Sequence, residues 1–304
     1  MRLTSGANPA RAGSLASHLD LVCASFASNA APAHAAGMTR SIDRRGFLLA
    51  APSLVLAPAP GNGQAAPSTL PADWFPRHDP ALVREMVIAA HGNTAKVKEL
   101  LADRPALARA CWDWGFGDYE SAIDAASHVG HRAIAALLVA AGARPTIFTA
   151  AMLGQLTVVR GMVEALPGVQ RSRGPHGITL LAHARVGGAE AAEVAGYLER
   201  LGDADPRYAD MPLADGQRRA LPGDYAFGTG PSDRLRVATD TRGDSTIARP
   251  GVTIERRLFH QGDLVFNPAG AEAVKVRFDL AGGVARALIV EDGASRLMAR
   301  RTDS

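Results

Sequence analysis

A short two-part pattern recurs four times between Ala89 and Asp205, and it limits the chain more than any single residue does. The second copy reads Ser121-Ala122-Ile123-Asp124-Ala125-Ala126, turns at Gly130-His131, continues through Ile134 and Leu137-Leu138, and closes at Ala141-Gly142-Ala143. The third runs from Ile147 through Gly154 to Met162-Val163, and the fourth from Gly177 through Gly187-Gly188 to Leu201-Gly202. A degenerate first copy spans Ile88 to Leu101. Each copy spaces its apolar residues for two short helices that cannot bury an apolar face alone, so neighbouring copies must stack.

The pattern resembles ankyrin repeats: Thr-Pro-Leu-His-x-Ala-Ala-x-x-Gly-His, then a second helix ending in Leu-Leu and Gly-Ala. Ser121-Ala122-Ile123-Asp124 departs from the opening of that motif, and Gln155 and Ala189 replace the His after the glycine. The resemblance implies a helical-repeat solenoid that recognises protein or peptide through its concave face.

A second texture begins after Pro222-Gly223. Leu235–Thr239 and Val274–Phe278 alternate apolar and polar residues, as strands with one wet face do, and Asn267–Gly270, Ala281–Gly283 and Asp292-Gly293 read as turns. Seven or eight short strands in this segment predict an antiparallel barrel or sandwich. The segment also resembles, on weak motifs (Phe278-Asp279, Gly282-Gly283-Val284, Ala299-Arg300-Arg301), the small lipocalin-like β domain appended to exported hydrolases of the serine β-lactamase-like group. In that group the chemistry sits in a separate domain, which this chain lacks. The fold class is therefore α+β multidomain, an ankyrin helical-repeat solenoid followed by a small antiparallel β-barrel or sandwich.

The formal charge of +3 suggests an anionic partner, but the excess lies in the leader. Residues 1–65 hold five of the 33 basic and two of the 30 acidic residues, which leaves 28 of each in the rest. A neutral body gives no reason to expect nucleic acid. Within the leader, Arg44-Arg45-Gly46-Phe47-Leu48-Leu49 resembles a twin-arginine export motif, with Asp43 where Ser or Thr is usual. The apolar stretch that follows is too short and too proline-broken for a stable membrane span, and Gly63-Gln64-Ala65 suits cleavage between Ala65 and Ala66. The resulting division is an upstream extension at 1–37, with Met38 as the expected start, a signal at 38–65 and a Pro-rich lead-in at 66–77. Repeats at 78–205, a linker at 206–222 and the β domain at 223–304 complete it. The expected location is periplasmic or secreted, with Cys111 as the one remaining thiol.

Spacing between equivalent repeat glycines varies: Gly92 to Gly130 is 38 residues, Gly130 to Gly154 is 24, and Gly154 to Gly188 is 34. The first loop is long and carries Trp112, Trp114, Phe116 and Tyr119. The second shrinks to Arg144-Pro145, and the third holds Arg171, Arg173 and His176. These eight residues are the candidate binding set, an aromatic wall and a basic wall around a notch, because aromatics and Arg carry much interface energy. The competing expectation is that the aromatics cap the repeat core or dock the β domain.

Reaction chemistry is sparse. His128 and His131 form an H-x-x-H pair, but no HExxH and no Cys/His ligand spacing accompanies it, so no metal ligand is assigned. There is no Gly-x-Ser-x-Gly elbow, phosphate loop or dinucleotide fingerprint. The sequence thus reads as an exported, non-catalytic scaffold without cofactor, binding an unknown protein or peptide. Two alternatives stand beside it: a small-ligand binder using Phe259, Phe266 and Phe278 of the β domain, and a hydrolase with a scattered site.

Overall fold

Asp79 opens the first helix by accepting a hydrogen bond from Ala81 N at 2.8 Å, and Pro80 follows at a position whose N–H needs no partner. The computed structural model describes residues 76–302. The upstream extension, the signal motif of Arg44, Arg45, Phe47 and Leu48, the cleavage point at Ala65/Ala66 and most of the lead-in lie outside the described residues.

Eight helices form four hairpins: α1 (Pro80–Ala90) with α2 (Thr94–Asp103), α3 (Ala122–His128) with α4 (Arg132–Ala140), α5 (Ile147–Met152) with α6 (Leu156–Ala165), and α7 (Leu180–Val186) with α8 (Ala192–Leu201). Side-chain oxygens cap them: Asn93 before α2, Ser121 before α3, Thr146 before α5 and Thr179 before α7. A two-stranded ribbon, β1 (Cys111–Asp113) and β2 (Tyr119–Ser121), separates the first hairpin from the second. One more helix, α9 (Asp215–Ala220), leads into the strands.

The β region is a closed eight-stranded antiparallel barrel: β3 (Gly223–Ala226), β4 (Arg234–Thr239), β5 (Ser245–Ala248), β6 (Arg256–Gly262), β7 (Val265–Pro268), β8 (Lys275–Ala281), β9 (Val284–Asp292) and β10 (Ser295–Arg301). Every strand pairs with its sequence neighbours, and β10 closes the ring on β3 through Arg300 opposite Ala226 and Arg301 opposite Tyr225. Of the two expected arrangements, the barrel forms. Its interior is apolar, with Tyr225, Phe266 and Phe278 in edge-to-face contact.

The ankyrin expectation is corrected here. Adjacent hairpins touch, α1 on α3, α3 on α5 and α5 on α7, but no ankyrin solenoid results. The segments between hairpins differ from one another, and the first and third are drawn inward, whereas a solenoid projects matching loops to one side. The first is the ribbon, whose turn has three consecutive positive φ values, at Gly115, Phe116 and Gly117. A side chain at Gly115 would collide with Thr253 of the β region, and Phe116 packs on the barrel core. The third folds its turn at Pro175–Gly177 against the same region. Gly177 leaves no room for a Cβ beside the Tyr208 hydroxyl, and one at Gly270 would lie 3.0 Å from His176 backbone. Among the described residues, no helix is long and apolar enough to cross a membrane.

Candidate metal centre

Strand alternation sets the first site residue. In β2, Tyr119 faces out and is 65% exposed, so Glu120 faces in and is 0% exposed. A buried carboxylate is tolerated only when paired. Glu120 Oε2 accepts from Trp114 Nε1 at 2.7 Å. Its Oε1 meets three imidazole Nε2 atoms: His128 at 2.9 Å, His176 at 3.3 Å and His91 at 3.5 Å. His91 caps the C-terminus of α1, His128 ends α3, and His176 occupies the turn before α7. All three rings are buried.

Outer contacts fix two of the rings. His91 Nδ1 donates to Val87 O at 3.0 Å, and His176 Nδ1 donates to Asp118 Oδ2 at 2.8 Å. Both bonds direct the Nε2 lone pair inward when the ring is neutral. Asp118 also accepts from His176 N at 2.9 Å, and Arg256 Nη2 of β6 lies 2.7 Å from it as an ion pair whose angles make no directed hydrogen bond. Arg256 Nη1 donates to Ala269 O at 2.7 Å, so the barrel holds the far end of this chain of contacts. His176 sits at φ 61°, in the left-handed region, which costs backbone strain that the surrounding bonds must hold in place.

The electrostatics match the geometry. Burial would raise Glu120, but hydrogen bonds from His128, His176 and His91 outweigh it and hold the carboxyl well below its usual range. Burial likewise opposes ionisation of Asp118, and the His176 bond and Arg256 charge bring it below normal. Burial would lower His176, yet the bonds to Asp118 and Glu120 raise it to about 9. Burial dominates at His128 and lowers it.

The four inward atoms, His91 Nε2, His128 Nε2, His176 Nε2 and Glu120 Oε1, lie within 4.8 Å of one another. A tetrahedral zinc ion with bonds of about 2.0–2.1 Å would set its ligands about 3.3 Å apart. The observed separations of 2.9, 3.3 and 3.5 Å to the carboxylate, and 3.1 Å between His91 Nε2 and His128 Nε2, bracket that value. The Nε2 lone pairs of neutral His91 and His176 would face an anionic oxygen, a repulsion that a cation among them, proton or metal, removes, so the donor set fits a bound ion.

The sequence-predicted binding residues are dispersed. Trp114 and His176 are only 2% and 9% exposed and belong to the buried cluster, with ring centroids 6.3 Å apart. Trp112 is half-buried against the helical core, and Phe116 packs on the barrel. Arg173 lies over the Tyr208 ring at 3.9 Å and pairs with Glu272 at 3.2 Å. Tyr119, Arg144 and Arg171 are exposed. Of the H-x-x-H pair, His128 points inward, while His131 caps α4 by accepting from Ile134 N at 3.4 Å. Of the aromatic residues expected to line a barrel pocket, Phe266 and Phe278 lie inside, and Phe259 stacks outside on Tyr208 at 4.1 Å. Cys111 is exposed, but partial burial of its sulfur and the nearby Asp124, Glu120 and Asp113 raise its pKa and suppress thiolate.

Sequence reasoning missed His91, Asp118, Glu120 and Arg256. The available signal was Glu120 flanked by outward-facing neighbours in a strand-like run beside two tryptophans. No protein-family model, curated protein or solved structure matches the chain, so neither the ankyrin nor the lipocalin-like resemblance gains support.

Proposed function

We propose that the protein is a metal-binding protein, with one zinc-type divalent ion held by His91, His128, His176 and Glu120. The observation that carries this reading is the convergence of three imidazole nitrogens on one fully buried carboxylate oxygen at 2.9, 3.3 and 3.5 Å. Three imidazoles and a carboxylate suit zinc and other late first-row ions rather than calcium or magnesium. Four protein ligands in a buried site leave no open position for substrate, which favours a structural centre over a catalytic one. Such a centre would tie α1, the ribbon, α3 and the His176 turn together, and through Asp118 and Arg256 it would couple them to the barrel. An export route that carries folded protein, as the resemblance at residues 38–65 implies, would let the ion be loaded before export. The expected protein-binding surface keeps Tyr119, Arg144 and Arg171 as its exposed members.

Metal analysis of the purified protein, followed by chelation and titration with zinc and cobalt, tests this reading. One ion per chain and the intense visible bands of tetrahedral cobalt are expected. Failure of the apo protein to take up either ion would leave the second reading, favoured by the raised pKa of His176: a proton held between Asp118 and Glu120 in place of a metal.

A further inference from the structure

Glu120 turns its two carboxylate oxygens to different partners. Oε1 is the oxygen nearest all three imidazoles, whereas Oε2 accepts from Trp114 Nε1 at 2.7 Å. The ribbon turn fixes the indole that makes this bond. Trp114 N donates to Asp118 O at 3.0 Å, Asp118 N donates to Gly115 O at 3.2 Å, and Gly115 N donates to Asp113 Oδ1 at 2.8 Å. The ring itself belongs to the helical core, with Arg84 Cζ 5.6 Å from its centroid. Rotating it away would empty that place in the core and leave Oε2 buried without a partner, a state that native structures avoid. Trp112, in the same ribbon, supplies a contrast. It packs against the same core, but its buried Nε1 has no hydrogen-bond partner among the described residues.

This bond decides how many donor atoms the carboxylate offers an ion. A glutamate binds a metal through one oxygen or through both, and two-oxygen binding serves ions that take six or more oxygen ligands. An indole N–H only donates, so it holds Oε2 as its acceptor and cannot itself be a ligand. Oε1 and the three Nε2 atoms are left facing one another, the donor count of a four-coordinate zinc site. With Oε2 released, Glu120 would be free to bind through both oxygens. The site would then offer a fifth donor to ions that favour higher coordination, such as manganese(II).

We infer that Trp114 sets the metal preference of this centre, an inference that rests on the four-ligand reading above. Its indole N–H holds Glu120 to one-oxygen coordination and so selects four-coordinate ions, zinc above all, over ions that demand more ligands. The test compares the full chain with Trp114→Phe and Trp112→Phe, each stripped of metal and titrated separately with zinc, cobalt(II) and manganese(II). The parent and Trp112→Phe are expected to show the intense visible bands of four-coordinate cobalt. In Trp114→Phe those bands should weaken to the level of five-coordinate cobalt. Zinc and cobalt affinity should fall about tenfold or more, as is usual when a ligand loses its outer hydrogen bond, and manganese affinity should fall less. If Trp114→Phe does not fold, β-(benzothiophen-3-yl)alanine at position 114 replaces the N–H by sulfur with little change of shape, and the same outcomes apply. A parent that binds none of the three ions removes the four-ligand reading and this inference with it. Three results overturn the inference alone and leave metal binding standing. They are weak, five-coordinate cobalt bands in the parent, unchanged bands and affinities in Trp114→Phe, and equal losses in Trp112→Phe.

Discussion

The barrel and the helical region solve the problem of an interior in opposite ways. Inside the barrel, Tyr225, Phe266, Phe278 and the aliphatic residues around them form an apolar core, and Tyr225 Oη donates to Leu221 O at 2.5 Å. Its backbone groups are satisfied by a closed ladder with no free edge. The helical region instead encloses His91, Asp118, Glu120, His128, His176 and His183 among its alanines and leucines. An apolar interior is stable over a wide range of solution conditions. A buried knot of imidazoles and carboxylates depends on which cation, proton or metal, sits among them. The two halves should therefore respond differently to the same perturbation.

The largest difference should come from Glu120→Ala. It leaves three buried imidazoles and the Trp114 indole without their shared acceptor, and breaking a buried ionic cluster costs about 3–5 kcal/mol. Zinc content should fall to background while the barrel strands keep their amide protection. Full zinc occupancy in this variant would break the four-ligand assignment. Next in size is the metal itself. With free zinc at about one hundred times its Kd, stability should rise by roughly 2.7 kcal/mol, and a chelator should reverse the gain. A melting temperature indifferent to both would leave the knot to protons alone.

Acid should separate the halves by a smaller amount. Burial pushes His183 down to about 3, only partly offset by its bond to Thr179 O, so the folded state favours the neutral ring. In the unfolded chain the same ring titrates near 6.5, so this contribution is complete above about pH 6.5 and fades as pH falls toward 3. Denaturant unfolding of metal-free protein across that window should show the loss, and His183→Asn should flatten it. The smallest effect is expected on the barrel surface. Asp224 accepts from Arg236 Nε at 2.8 Å and Nη2 at 3.2 Å, and these bonds hold its carboxyl below the normal range. The stabilisation is present above about pH 3.8 and lost as pH falls through the lower folded value. Because the pair is solvent-exposed, Asp224→Asn should cost less than about 1 kcal/mol and leave zinc binding untouched.

How much of this was legible in the sequence follows from the range of the interactions. Alternation in β4 and β8, the turns at Ala269-Gly270 and Gly293, and the Asp79-Pro80 helix start are local, and local patterns can be read along the chain, although Asn267 and Pro268, expected in the first of these turns, belong to β7. The repeated helix pairs were also local, but the inference from them to a solenoid rested on what the connecting loops do. Glu120 and Asp118 decided that by drawing the ribbon inward. The four proposed ligands come from α1, β2, α3 and a loop before α7, at positions 91, 120, 128 and 176, a spacing that fits no metal motif. Even the H-x-x-H pair misled: one turn of chain sends His128 to the core and leaves His131 as a helix cap.

The order in which the barrel strands are made has a consequence for biogenesis. The ring cannot shut until residues 295–301 have left the ribosome, because β10 alone bridges β9 and β3. Until then the nascent protein presents two bare edges, each a template for pairing with a neighbouring copy. A nonsense change that removed β10 would therefore yield a chain prone to strand-exchanged aggregates, even with every helix intact.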